Sequence, residues 1–193
     1  MRKRIELYPR QHEFVFAPER FTSFIGGIGS GKSYAGAVKG IVKAGQRKCL
    51  GVVTAPTYTM LQDATLRIYQ DLLGDALVKF NKNEMLATLP NRSEILFRST
   101  EHPDRLRGPS ISWWHGDEGA LYDAKVWPIM IGRLREASRA GEAWITTTPR
   151  GRNWLYERQN EIRIFRAATR DNPYLDREFV QSLEASYTGL FAR

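Results

Sequence analysis

Short apolar runs alternate with amphipathic stretches along the chain, and the two periods assign its elements. Unbroken or alternating apolar runs predict strands at 21–25, 49–54, 94–98, 111–116, 143–148 and 162–168. Helical spacing of the apolar positions predicts helices near 32–44, 59–73, 124–137, 153–160 and 176–187. Strands alternating with helices read as an α/β fold, a central mainly parallel sheet flanked by helices. One segment departs from this. "LVKFNKNEMLATLPNRSEILFRST" alternates around the turn clusters "NKNE" and "LPNRSE", which predicts a small antiparallel excursion decorating the sheet. At 193 residues the chain fits one domain with a full core, and no repeat, low-complexity tract or Gly/Ser linker divides it.

The first strand runs into "GGIGSGKS". Gly26, Gly31, Lys32 and Ser33 satisfy G-x-x-x-x-G-K-S, with an apolar strand before the motif and a helix-compatible run after it. Backbone amides converge on phosphate oxygens only where Cβ atoms do not clash, so Gly26, Gly27, Ile28, Gly29, Ser30 and Gly31 form the candidate cradle. The helix that follows adds its own unpaired amides. Lys32 is placed to reach the β and γ phosphates, and the Ser33 hydroxyl to ligate Mg²⁺. A dinucleotide loop is excluded, because Lys32 stands where its third glycine belongs.

Downstream, "ISWWHGDEGA" ends an apolar strand in two carboxylates. Parallel sheets place their sites outside the C-terminal strand ends, so Asp117 is a candidate Mg²⁺ carboxylate and Glu118 a candidate base for an attacking water. Two further segments stay open. Thr146 to Thr148, ending the next strand, are β-branched strand filler or hydroxyls facing a γ-phosphate. In "YPRQHEF", Tyr8 and Gln11 are an ordinary helix start after Pro9, or a stacking ring and an amide matched to adenine's N6 and N7.

Charge changes the picture modestly. A net +8 favours a polyanionic partner. Arg150, Arg152, Arg158, Arg163, Arg166 and Arg170 crowd one stretch, as surface charge or as a DNA contact, with Trp154 and Tyr156 among them as packing residues. The lone Cys49 sits in an apolar run, which predicts a buried, inert thiol and a reducing compartment. No apolar run has the length of a membrane span, and the basic N-terminus leads into no signal-peptide core, which predicts a soluble intracellular protein.

With "PRQHEF", "GGIGSGKS", "APTY", "RLRG", "WWHGDEGA", "TTTPRGRNWLY" and "DNPYL" in this order, nearly the whole chain resembles the ATPase domain of the tailed-phage terminase large subunit. The resemblance implies a RecA-like P-loop NTPase fold of the ASCE type, with ATP as substrate and Mg²⁺ as cofactor. It implies a packaging motor that moves double-stranded DNA into a procapsid, working as a homo-oligomeric ring with the small subunit and portal protein in the host cytoplasm, away from any membrane. By the same resemblance Gln11 contacts adenine, Lys32 and Ser33 serve phosphate and Mg²⁺, and Asp117 and Glu118 are the Mg²⁺ carboxylate and base. Thr147 and Thr148 then couple hydrolysis to movement, and Arg107 is the best match to the family's arginine finger. Ile28 departs from the family, many of whose members carry an arginine in this loop. The family's RNase H-like nuclease domain has no room here, so the expected division is an ATPase core at 1–173 and a short helical lid or linker at 174–193, without nuclease activity. The residues leave rival readings open: a helicase-like ATPase, a nucleotide-gated ring-assembly protein with little turnover, or a small-molecule kinase.

Overall fold

The computed structural model describes residues 4–136 and 140–187. Helix α1 (Pro9–Val15) begins with Pro at its first turn, where a missing N–H costs nothing. It leads to β1 (Phe21–Gly26), the glycine-rich loop and α2 (Lys32–Gln46). Strand β2 (Leu50–Ala55) follows, then α3 (Tyr58–Met60), a π-helical turn at Leu61–Thr65, and α4 (Leu66–Leu73). Strands β3 (Lys79–Asn81), β4 (Leu86–Thr88), β5 (Glu94–Ser99) and β6 (Trp113–Asp117) precede α5 (Val126–Ile131). Strand β7 (Glu142–Thr147), α6 (Trp154–Glu157), β8 (Arg163–Ala167) and α7 (Arg177–Tyr187) complete the order.

The eight strands form one sheet in the order β3-β4-β5-β2-β6-β7-β1-β8. Pairs from β5 through β8 are parallel, and β3 and β4 form the expected antiparallel excursion against β5. Strand β7 lies between β1 and β6, with Thr146 beside both Phe24 and Asp117. That inserted strand gives the RecA-like order and aligns the C-terminal ends of the loop strand, the threonine strand and the acid strand.

The sheet buries both faces. Trp113 and Trp114, adjacent on β6, point to opposite sides as a strand's period of two requires. Trp113 stacks on Trp144 at 5.3 Å within the core under α1, α2 and α4, and Gly51 leaves the space its ring fills. Trp114 joins Trp127, Met130 and Ile145 on the other face. Cys49 is buried as expected, and burial raises its thiol pKa.

Several elements are shorter than their periodicity predicts. The helix expected at 124–137 ends at Ile131, because the chain peels off after Gly132 and Arg133 accepts from the Ile111 amide at 2.8 Å through its carbonyl. Residue 137, its expected end, lies outside the described residues. The helix expected at 153–160 is a single turn capped by Asn153. Trp154 packs in the core, but Tyr156 is exposed under Arg152. Two residues along a helix are about 200° apart, so both cannot face inward. The strand expected at 111–116 starts at Trp113, two residues late. Helix α7 occupies the expected lid or linker segment, whose residues 188–193 lie outside the described residues.

Lys39 of α2 is buried, donating to the Phe14 carbonyl at 3.0 Å and the Thr22 hydroxyl at 3.2 Å, with its ammonium over the Phe14 ring. Burial pushes its pKa down from 10.5 to about 8. Between those values the unfolded chain holds a proton that the folded chain has released, so stability rises with pH in that window. Above about pH 10 the trend reverses, because burial raises the pKa of Tyr8, Tyr69 and Tyr122 and the unfolded chain then releases their protons first. In denaturant titrations the stability of wild type relative to Lys39→Met should grow by about 2 kcal/mol from about pH 7.5 to about pH 9.5, a comparison that cancels the opposing effect of the raised Cys49 thiol.

Candidate active site

Residues 26–31 carry the chain from β1 into α2. Gly29 and Gly31 have φ of 76° and 74°, a region that L side chains enter only at a cost. The loop is held from behind by four side chains. Thr169 donates to the Ile28 carbonyl at 2.8 Å, Asn172 to Gly29 at 2.7 Å, Tyr8 to Ser30 at 2.8 Å, and Gln11 to Gly31 at 3.1 Å. Across a trans peptide the C=O and the next N–H point opposite ways. Tying those carbonyls outward therefore turns the amides of Gly29, Gly31 and Lys32 toward the concave side. The Ser30 hydroxyl is buried against Gly26 without a hydrogen-bond partner.

On the concave side the strand ends bring together two pairs. Ser33 donates to Asp117 Oδ1 at 2.8 Å, and Lys32 Nζ lies 3.0 Å from Glu118 Oε1. Asp117 is 3% exposed and accepts three further hydrogen bonds, from Thr146 at 2.7 Å, from Thr65 at 2.7 Å and from the Glu118 amide at 3.2 Å. Glu118 sits at φ 50°, ψ 38°, a left-handed conformation unusual for a side chain of its kind and common at functional sites. The Thr148 amide and hydroxyl both bond its carboxylate at 3.3 Å, while Thr147 receives the Ala120 amide at 3.2 Å. Behind Thr146 lies His115, fully buried, with Tyr69 behind it. Burial pushes the imidazole pKa down to about 4.

The donor set suits a hard cation that keeps its own ligands. Among the described residues no three His, Cys, Asp or Glu converge on one point, so no all-protein metal cage exists. Mg²⁺ arriving on phosphates needs only one or two protein oxygens, and the adjacent Ser33 and Asp117 oxygens match that demand.

The other sequence candidates fall around this cluster. Gln11 is buried, with its carbonyl oxygen on the Tyr8 amide at 3.3 Å and its NH₂ on Gly31. Tyr8 is buried too, so its ring is a packing surface and its hydroxyl a loop support. Ile28 stands half-exposed at the loop tip. Arg107 follows β5 in the connection to β6, and its side chain is 69% exposed with Asp104 at 3.4 Å. Within the basic stretch Arg158 pairs with Glu161, Arg163 lies 3.9 Å from Glu19, and Arg150 and Arg166 line a cleft of about 530 Å³ beside Thr148. Sequence reasoning missed Thr65, His115 and Tyr69, which look like ordinary residues of an amphipathic helix and a buried strand. Asn172 had a signal in the "DNPYL" segment that its loop contact explains, whereas Thr169, two residues before that segment, had none.

A family model for the phage terminase large subunit matches residues 19–189. The PBSX phage terminase large subunit of Bacillus subtilis is 27% identical over 160 residues, covering 78% of this chain and 36% of the relative, so the chain spans about a third of that protein. The fold superposes on the large terminase of the thermophilic bacteriophage D6E with a TM-score of 0.82 at 14% identity, covering 95% of this chain and 51% of the other. A variant ATPase domain of the Thermus phage P74-26 large terminase gives 0.75 at 21% identity, covering 93% and 88%.

The loop geometry yields a direct test. A Cβ at residue 31 would meet Gln11 Nε2 at 2.4 Å in a left-handed backbone, whereas one at Gly45, late in α2, would meet nothing within 4 Å. Gly31→Ala should cost about 1–2 kcal/mol from backbone strain, since the end of the Gln11 side chain can swing aside. Gly45→Ala should instead gain about 0.5–1 kcal/mol from helix propensity, both read by denaturant titration.

Proposed function

The chain belongs to the phage terminase large-subunit family, and from that premise we propose that it is the ATP-hydrolysing motor domain of a viral DNA-packaging terminase. The observation that carries this reading is the double pairing at the strand ends, Lys32 with Glu118 and Ser33 with Asp117. A phosphate loop beside a lone carboxylate suits nucleotide binding. A second carboxylate, held apart on the next residue, adds a group able to act on water. The large terminase of phage D6E has been solved with ADP and with ATP-γ-S, which supports nucleotide binding here.

In this mechanism Lys32 exchanges Glu118 for the β and γ phosphates, which frees the glutamate. Glu118, steadied by Thr148, orients the attacking water and accepts its proton. Ser33 and Asp117 are the residues that would hold Mg²⁺, which would supply positive charge to offset that of the phosphates. Gln11 reads the adenine once its amide is released from Gly31, and Thr147 with Thr148 passes the loss of the γ-phosphate to the rest of the domain. Arg107, whose side chain is 69% exposed, acts as the finger on a neighbouring subunit's nucleotide. That arrangement calls for a homo-oligomeric ring on a portal protein, with a small subunit, acting on double-stranded DNA in the host cytoplasm. Among the described residues no helix is long and apolar enough to cross a membrane.

Lys32→Ala should weaken both nucleotide binding and turnover. Glu118→Gln should keep ATP bound while losing roughly two or more decades in rate, and equal turnover in wild type and Glu118→Gln would remove the base assignment. The finger has its own test, since its loss in other P-loop enzymes costs about three to five decades. Arg107→Ala and Glu118→Gln subunits, each inactive alone, should regain hydrolysis when mixed, because a mixed interface pairs an intact finger with an intact base. A wild-type rate independent of protein concentration, with no recovery on mixing, would place the finger in cis or on Arg105.

A further inference from the structure

Three buried side chains outside the proposed machinery line up behind Asp117. Tyr69 Oη lies 3.0 Å from His115 Nδ1, His115 Nε2 lies 2.8 Å from Thr146 Oγ1, and Thr146 Oγ1 lies 2.7 Å from Asp117 Oδ1. All three are fully buried, so none exchanges these bonds for water.

The carboxylate sets the direction of the whole line. An ionised carboxylate only accepts, so the single hydroxyl hydrogen of Thr146 points to Asp117. Thr146 Oγ1 must then accept from His115, which puts the ring hydrogen on Nε2. In the neutral ring Nδ1 is left as an acceptor, and Tyr69 donates to it. We propose that Tyr69, His115 and Thr146 form a one-way hydrogen-bond chain that holds the Asp117 carboxylate in the orientation its cation needs, with Thr65 fixing the other oxygen.

Ser33 shows why such a chain is required. It is the one donor to Asp117 whose oxygen also serves the cation, so its bond is the one that binding disturbs. Thr146 and Thr65, from β7 and the π turn, keep both carboxylate oxygens in place while Ser33 turns. Helix α2 is shaped around the same chain. A Cβ on Gly36 would come 2.4 Å from His115 Nε2, and one on Gly40 would come 2.5 Å from the Tyr69 hydroxyl. Glycine weakens a helix interior, yet two stand four residues apart on the face that covers these groups. Tyr69, His115 and Thr146 are thus positioning residues acting through Asp117.

The inference rests on the Mg²⁺-nucleotide reading above, and two measurements separate its failure from that reading's. The first needs no nucleotide: ¹⁵N shifts of the His115 ring, assigned against His115→Asn, report which nitrogen carries hydrogen. Wild type and Thr146→Ser should show the Nε2–H form. Thr146→Val, which leaves Nε2 without an acceptor, should shift the ring to the Nδ1–H form bonded to Tyr69. The second is the Mg²⁺ concentration that half-saturates binding of a non-hydrolysable ATP analogue. It should rise about tenfold in Thr146→Val, the scale of lost outer-shell partners, with Thr146→Ser recovering most of the loss and Tyr69→Phe showing a smaller rise. An Nδ1–H ring in wild type, or an unchanged Mg²⁺ requirement in folded Thr146→Val, overturns the proposal. A wild-type chain that binds no nucleotide overturns the functional reading, while the ring hydrogen still decides the hydrogen-bond chain.

Discussion

The buried carboxylate of Asp117 is the constraint around which this domain is built. A charge 3% exposed to water has to find its solvation inside the protein, and here four donors supply it. They come from the start of α2, the π turn before α4, the end of β7 and the neighbouring backbone amide. Satisfying one group therefore fixes the relative placement of the phosphate loop, the helix after β2 and the inserted strand. The π turn follows the same logic, since it brings Thr65 onto Asp117 Oδ2, and such turns are frequent at functional sites.

The glycine-rich loop obeys a second constraint. Its concave side must offer amides, so its carbonyls must be satisfied on the outer side. Side chains from both ends of the fold do this, Tyr8 and Gln11 before β1, Thr169 and Asn172 after β8. The loop is thus clamped between the first helix and the last strand's exit, and Leu175 and Phe179 pack where a Cβ on Gly29 would go. Gln11 has a double assignment in this account: it supports the loop without nucleotide and is proposed to read adenine with it. The same economy holds for Lys32, which pairs with Glu118 and is proposed to leave it for a nucleotide's phosphates.

Much of this was legible in the sequence where local chemistry speaks for itself. The phosphate loop, the two carboxylates at the end of β6 and the antiparallel excursion are written in contiguous residues, and they fold where the pattern put them. What stayed hidden depends on tertiary contacts. Thr65 is one β-branched residue in an amphipathic helix until the π turn aims it at Asp117. Tyr69 and His115 carry no spacing signal, because the helix and strand that hold them meet only in the folded chain. The left-handed backbone of Glu118 is likewise invisible in a residue type that rarely adopts it. Helices α5 and α6 fell short because periodicity cannot see where the chain must leave a helix to pair with a distant strand or cap a turn.

The central claim is that one site holds a nucleotide's phosphates by drawing Lys32 away from the base it neutralises. A crystal structure of this chain with Mg²⁺ and a slowly hydrolysed ATP analogue tests it most directly. The account predicts phosphates on the amides of Gly29, Gly31 and Lys32, Lys32 Nζ moved from Glu118 onto their oxygens, and the cation beside Ser33 and Asp117. A nucleotide bound away from the loop, or seated there with the Lys32–Glu118 pair still closed, would contradict it.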